Sequence, residues 1–410
     1  MSRRELAELV NRYVWDTFRQ RTGLDENYIG KLERGVVRWP NELYRAGLRA
    51  VLGVGDDVDL GFRARGAPRT AGPEDEQPPW TVSMAVASAY VLDAMTPAAP
   101  PNRIGPPEIE QVRGAAKAFA AWDNLYGGLA RDAPIALLRW SVGLLHSRAS
   151  PAELHSELLS SIALLAHTCG SMAFDSHAFD DARRLLSFGV TCAEEADDWE
   201  LRARLLATTA RLDTWIGEPD RGLTHIQLAL VRSDRLTTTE QAMLHSLEAR
   251  ALARLGRTAE THEAVARADE AFARRQIDED PTWMDSYDAA QHAGDIGMAL
   301  ADLVLAGPDP PPVAVIEDAR SRLMRAIDLC RPERVRSRVL AQIGLAKLRI
   351  ATGAVTEAVA VAEQALAMAE SIRSRRVADE LAELDRLAAR HGDRADVMDL
   401  RGRLAVAAMP

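Results

Sequence analysis

Thr352-Gly-Ala-Val-Thr-Glu-Ala358, continued by an alanine-rich run to Ala369, decides the fold class of this chain. Gly353 marks a turn, and the residues after it recur at helical spacing. Small side chains along one face let an antiparallel helix approach closely. Comparable runs stand at Ala182-Arg-Arg-Leu-Leu186, Gly222-Leu-Thr-His-Ile226 and Ala264-Val-Ala-Arg-Ala268. Turn points recur at Ser176, Gly217, Gly256, Gly307 and Gly353, giving gaps of 41, 39, 51 and 46 residues. The pattern predicts helix-turn-helix pairs with no strand alternation, hence an all-α stack whose curved face can hold a ligand.

Composition agrees. The 410 residues allow two or three domains, and aromatics are only 5%. Net charge is −10, unevenly spread: residues 1–49 hold ten Arg and Lys against seven Asp and Glu, +3, leaving −13 for the rest. A mildly basic head on an acidic body suits local phosphate contact. Three widely spaced cysteines, 169, 192 and 330, form no disulfide framework, which favours a reducing, cytoplasmic setting. Charge dominates residues 3–12, so no secretory signal is expected. The apolar stretch Trp80 to Met95 is too short to span a bilayer and contains Asp93, so no membrane partner is expected.

The head is expected over residues 1–62. Its most informative segment is Asp25-Glu-Asn-Tyr-Ile-Gly-Lys-Leu-Glu-Arg-Gly35, followed by Val-Val-Arg-Trp-Pro40. Asp25 is an N-cap and Gly35 a stop with positive φ. Ile29 and Leu32 face a small core, while Glu26, Asn27, Gly30, Lys31 and Arg34 fall on the opposite side. Such a face suits the DNA major groove. A helix over 3–19 precedes it, with Ser2 and Glu5 as a capping box. Another follows over Asn41–Leu52, and residues 56–62 can add a turn. Residues 63–107 form a Pro-rich linker with one helical segment. Helical repeats fill 108–408.

Arg3-Arg-Glu-Leu-Ala7, Ile29-Gly-Lys-Leu-Glu-Arg-Gly35 and Pro40 resemble the phage-repressor-like (Xre-type) helix-turn-helix family. The wider matches, Tyr44 to Gly53, Leu60-Gly-Phe62, Trp122 to Gly128 and Asp280 to Tyr287, look like a bacterial subgroup with such a head on a tetratricopeptide-like body. The segment after Thr352 resembles the second helix of a tetratricopeptide repeat, with a looser period than that repeat's roughly 34 residues. The resemblance implies a sequence-specific transcriptional regulator that binds double-stranded DNA as a homodimer. Glu26, Asn27, Lys31 and Tyr28 would face bases; Arg3, Arg34 and Arg38 would contact phosphates, with loop residues Arg19 and Arg21 adding to them. Glu33 would pair with a nearby arginine.

Two departures from the family pattern stand out. The family's first helix would precede Ser2, and its absence would expose Leu6, Val10 or Leu32. Leu6 and Ile29 lie 23 residues apart, about a dozen more than usual, so the segment 12–22 lengthens helix one and its loop.

In the body, Trp122, Trp215, Trp283, Gln227 and Gln291 are candidates for an effector groove, against a rival reading of the tryptophans as core. The effector is a small molecule, a protein or a peptide. All five asparagines precede residue 125, which argues against backbone clamping of a linear peptide. Nine scattered histidines show no ligand spacing, so neither metal nor cofactor is expected. No phosphate loop, nucleophile elbow or paired-carboxylate frame is present, which disfavours an enzyme. The alternative function is an interaction scaffold whose shortened head no longer binds DNA.

Overall fold

The computed structural model describes residues 2–34, 36–37, 40–57, 60–62, 101–126, 131–147, 152–307, 312–370, 372 and 374–407. Most of the expected linker, 63–100, lies outside the described residues, as do Gly35 and Arg38. The chain divides into two compact units, residues 1–97 and 98–410. Every regular element described is helical.

The head holds three helices, α1 (Arg3–Phe18), α2 (Glu26–Glu33) and α3 (Glu42–Leu52). Ser2 caps α1 and Glu5 returns the bond to the Ser2 backbone, completing the box. Ala7, Val10 and Val14 recur at three and four and are buried. Gly47 on α3 lies so close to α1 that a Cβ there would meet Val10 Cγ1 at 2.7 Å. That contact corrects one expectation: Val10 is fully buried, and Leu6 and Leu32 are half-buried, because α3 covers the face that a preceding helix was expected to cover. The exposed apolar residues of α1 are instead Leu9, Trp15 and Phe18.

The lengthened loop 19–25 is held by one side chain. Asn11 donates to the Leu24 carbonyl at 2.8 Å and accepts from Thr22 Oγ1 at 2.8 Å and the Leu24 amide at 3.1 Å. This fastens buried Leu24 and sets the start of α2, which Asp25 caps by accepting from the Tyr28 amide. Arg45 and Arg49 of α3 both pair with Asp57, fixing the chain beyond the helix.

The body contributes fourteen helices among the described residues, in seven consecutive pairs. They are α4 (Pro106–Tyr126) and α5 (Asp132–Leu144), α6 (Ala152–Asp175) and α7 (Phe179–Glu195), α8 (Trp199–Trp215) and α9 (Pro219–Leu230), and α10 (Thr238–Arg254) and α11 (Thr258–Ala273). There follow α12 (Ala289–Ala306) and α13 (Val313–Leu329), α14 (Val335–Ala351) and α15 (Val355–Ala369), and α16 (Arg375–Ala388) and α17 (Ala395–Ala407). The first helix of each pair packs on the first of the next, so α4, α6, α8, α10, α12, α14 and α16 form one continuous layer. This is a tetratricopeptide-like α-solenoid. Prolines 106 and 107, placed in the linker by sequence, open α4, where their missing amides cost nothing. The apolar length of α6 is mostly buried inside the stack.

Small residues set the spacing. Ala182, Ala264, Ala268, Ala319, Ala358 and Ala362 are fully buried where second helices meet first ones. The expected turns at Gly217, Gly256 and Gly353 take positive φ of 89°, 71° and 82°. The long gap from 256 to 307 has a local cause: two 3-10 turns, Ile277–Glu279 and Thr282–Ser286, are inserted between α11 and α12. Tyr287 anchors the insert, its hydroxyl lying 3.0 Å from both Ser246 Oγ and His292 Nδ1.

Two helical glycines should respond oppositely to alanine. At Gly222 a Cβ would meet Thr214 Oγ1 at 2.5 Å and the Ala210 carbonyl at 2.9 Å, whereas at exposed Gly114 it meets nothing within 4 Å. Gly222→Ala should destabilise the body by about 1–3 kcal/mol. Gly114→Ala should stabilise it by about 0.5–1 kcal/mol. Urea denaturation of both variants checks the pair.

Candidate functional site

In the head, α2 turns its apolar side inward through buried Ile29 and leaves Glu26, Asn27 and Lys31 exposed. None of these three side chains has a hydrogen-bond or ion-pair partner among the described residues, and Arg34 is likewise exposed. Other expected contacts are otherwise engaged. Tyr28 is half-buried and packs edge-on against Tyr44 at 5.3 Å, so its ring is part of the head core. Arg3 pairs with Glu33 at 2.6 Å, the partner expected for that glutamate. Arg21 lies over the Trp15 ring at 5.6 Å. Arg19 is exposed and caps α1 in the left-handed conformation. Thus α2 brings together Glu26, Asn27, Lys31 and Arg34.

In the body, the inner faces of the first helices carry charge. On α8, Arg204, Thr208, Arg211 and Trp215 recur at four, three and four, which places them on one stripe. Arg211 reaches Asp295 of α12 at 3.3 Å. Arg250 and Arg254 of α10 converge on Asp302 of α12 at 3.1 and 2.9 Å. Lys347 of α14 is buried between Glu380 and Glu383 of α16. Arg211, Arg250, Arg254 and Lys347 are each compensated by a partner of opposite sign, without which a buried charge would be strongly unfavourable.

The stack closes on itself around a buried carboxylate. Asp175, fully buried at the end of α6, accepts from Arg376 Nε at 2.6 Å, from Ser374 Oγ at 3.1 Å and from Arg336 at 3.2 Å. Burial alone would raise its pKa, but the two guanidinium groups hold it below the ordinary value. Arg336 also meets Asp123 of α4 at 3.4 Å, and Trp215 Nε1 donates to Asp379 of α16 at 3.2 Å. Residues some 160 to 210 positions apart are thereby joined, and the last pairs meet the first.

Two cavities lie inside this closure. One, of about 160 Å³, is lined by Trp215, Gln291 and Asp295 among others; the second, of about 200 Å³, is lined by Asp123, His167 and Thr208 among others. Arg211, Arg336 and Arg376 border both. His167 is buried, and desolvation together with Arg204 and Arg211 holds its pKa well below the ordinary value, so it is neutral at pH 7.

Of the expected groove residues, Trp215 and Gln291 line the first cavity, where Gln291 donates to Asp295 at 2.9 Å. Trp283 lies under the Arg204 guanidinium at 4.6 Å. Two do not belong. Gln227 is exposed on the outer helix α9, and Trp122 is exposed on α4 with its ring against Phe119. In both cases helical phase turns the side chain away from the interior. The arginines of the inner stripe were missed as site residues. Their signal was present in Arg204-x3-Thr208-x2-Arg211, a polar stripe at helical spacing on α8.

A second charged feature lies at the start of α10. Glu240 is fully buried, and desolvation, with Glu200 and Asp280 nearby, pushes its pKa up to about 8. The Thr237 amide donates to Oε2 at 2.8 Å, whereas Oε1 has no partner.

No family model matches the chain, and no curated protein matches it. Among solved structures, a putative kinesin light chain from Podosopora anserina with nearly identical TPR-like repeats is similar at 20% identity and a TM-score of 0.33, over 50% of this chain and 94% of that one. A Rap protein complexed with Competence and Sporulation Factor is similar at 15% identity and a TM-score of 0.44, over 73% of this chain and 87% of that one. At these scores the likeness carries no argument, and the repeat architecture stands on the helix pairs themselves.

Two outcomes are expected. Asp175→Asn leaves two buried guanidinium groups short of a counter-charge and should cost about 3–5 kcal/mol in chemical denaturation. For Glu240, the folded state keeps a proton that the unfolded chain releases near the ordinary value of 4.5. Its contribution to stability should therefore fall as pH rises from about 4.5 to about 8. Glu240→Gln keeps the cap and removes the charge, so the variant should melt above the parent at pH 9 and close to it at pH 4.

Proposed function

We propose that this chain is a helical-repeat interaction protein whose body holds an effector or partner in its closed interior and whose head reads duplex DNA. The whole would then be a transcriptional regulator with an Xre-type head. The observation that carries the DNA-reading part is the outward face of α2. Asn27 and Lys31 stand exposed, without a partner among the described residues, on a helix fastened from behind by Ile29 and capped at its start by Asp25. An amide matches adenine and an ammonium matches guanine in the major groove, and Glu26 can accept from cytosine. Arg34 and Arg19 are exposed and would contact phosphates under this reading. The symmetry of operators read by such heads calls for a homodimer.

A second reading is favoured by a different observation. Arg3 and Arg21 are already engaged within the head, which leaves few cations for phosphate. Under that reading the solenoid is a scaffold for a partner protein, and the head has lost DNA.

Fluorescence anisotropy on duplexes from the chain's own promoter region separates the two. The regulator reading expects salt-sensitive, sequence-dependent binding by the full-length dimer. Asn27→Ala with Lys31→Ala should then reduce the specificity ratio by about tenfold or more, with non-specific affinity mostly kept. Absence of sequence-dependent binding, with a stoichiometric partner on co-purification, would decide for the scaffold.

A further inference from the structure

We propose that the cavity lined by α4, α6, α8, α14 and α16 binds a phosphoryl group, as free phosphate or as a small phosphate monoester, held by Arg211, Arg376 and Ser171. This rests on the reading that the body holds an effector, and it names that effector's chemistry.

The polar groups with unused capacity in this lining are donors. Arg376 lines the cavity from α16 and uses only Nε within the protein, on Asp175 at 2.6 Å. Its guanidinium lies against the Phe174 ring at 4.7 Å, which fixes its plane. Neither Nη atom has an acceptor among the described residues, and neither is among the buried atoms left without one, so both remain open to solvent. Arg211 lines the cavity from α8. Its Nη2 donates to Asp295 at 3.3 Å, whereas Nε and Nη1 have no acceptor among the described residues and are likewise open. Ser171 on α6 adds a hydroxyl that makes no hydrogen bond among the described residues.

The charge at this wall has the sign an oxyanion needs. The lining carries Arg211, Arg336 and Arg376 against one carboxylate, Asp123, which already pairs with Arg336. Asp175 and Asp295, which pair with these arginines from behind, bring the count to three against three. Arg204 then leaves an excess of one cation: it is buried behind the wall, with no ion pair among the described residues. His167 in the lining is neutral and adds no negative charge.

The donors also discriminate among anions. Arg376 Nη1 and Nη2, Arg211 Nε and Nη1, and Ser171 Oγ make five open donor atoms in one lining. A carboxylate has two oxygens to set against them, and a phosphoryl group has three. The planar edge of a guanidinium takes two phosphoryl oxygens side by side, in charge-assisted hydrogen bonds. Size agrees: about 200 Å³ lies below the roughly 300–1,000 Å³ typical of drug-sized ligands and suits a compact metabolite.

The test uses the full-length chain. Inorganic phosphate, glycerol 3-phosphate, acetate and methylamine are titrated singly by calorimetry and thermal denaturation. Phosphate or its ester should bind saturably and raise the melting midpoint, while acetate and methylamine do not. A tighter ester assigns the cavity to a monoester, and equal or tighter inorganic phosphate assigns it to the free ion. Arg211→Gln and Ser171→Ala should each weaken binding by about tenfold or more. Arg184→Gln, at an exposed arginine of the outer helix α7, should leave it unchanged. Ser171→Ala breaks no hydrogen bond among the described residues, so its unliganded midpoint should match the parent's, and it decides the question if Arg211→Gln fails to fold. Binding of neither phosphoryl compound, equal binding of acetate, or full affinity in Ser171→Ala would overturn the proposal. A protein partner or another small molecule found in the body would in that case leave the proposed function standing.

Discussion

A stack of helix pairs that curls until its ends meet must neutralise whatever charge it encloses, and Asp175 is where this protein does so. Its carboxylate is fully buried and receives two guanidinium groups and a hydroxyl from residues about 160 to 200 positions later. Without these partners the carboxylate would be too costly to bury, and without the carboxylate Arg376 and Arg336 would lose a buried counter-charge, Arg336 keeping Asp123. The closure therefore stands or falls as a unit. It turns an open curved face into a partly sheltered interior, where charges interact more strongly than at a surface. The interior is crossed by ion pairs between helices that are not neighbours in sequence, such as Arg211 with Asp295.

This arrangement changes what a ligand would meet. An open groove presents solvated side chains that pair with whatever arrives. Here most cations are already matched, and the unmatched groups are few and specific. Selectivity follows from that scarcity, because a ligand must complement particular orphaned atoms rather than a general field. In the head the logic is reversed: Asn27 and Lys31 on the outward face of α2 are exposed without a partner among the described residues, while Arg3, Arg21, Arg45 and Arg49 are engaged.

Much of the architecture was legible in the sequence. The alanine-rich runs after Gly217, Gly256 and Gly353 gave the helix pairs, and Ser2, Asp25 and Asn41 marked starts that the structure uses as caps. The long central gap was visible as a number, but its cause, an insert anchored by Tyr287, was not. The burial of Val10 was misjudged because Gly47, midway along α3, looks like a weak point in sequence and acts as a contact surface in space. Most of the interior site was illegible for a plain reason. Asp123, Asp175, Arg336 and Arg376 meet only when the stack closes, and no local pattern encodes pairings across such distances. Tryptophans drew attention for their size, yet Trp122 faces outward and the smaller polar residues of α8 face in.

Amide hydrogen exchange tests the central claim, that the ends of the repeat stack form one cooperative unit around a partly sheltered interior. With the Asp175 carboxylate neutralised by substitution, α4 and α6 should lose protection together with α14 and α16, while the buried seams of α10 and α12 keep theirs. Loss confined to α16 and α17, with α4 and α6 unchanged, would show that the two ends are not energetically joined and would contradict the account.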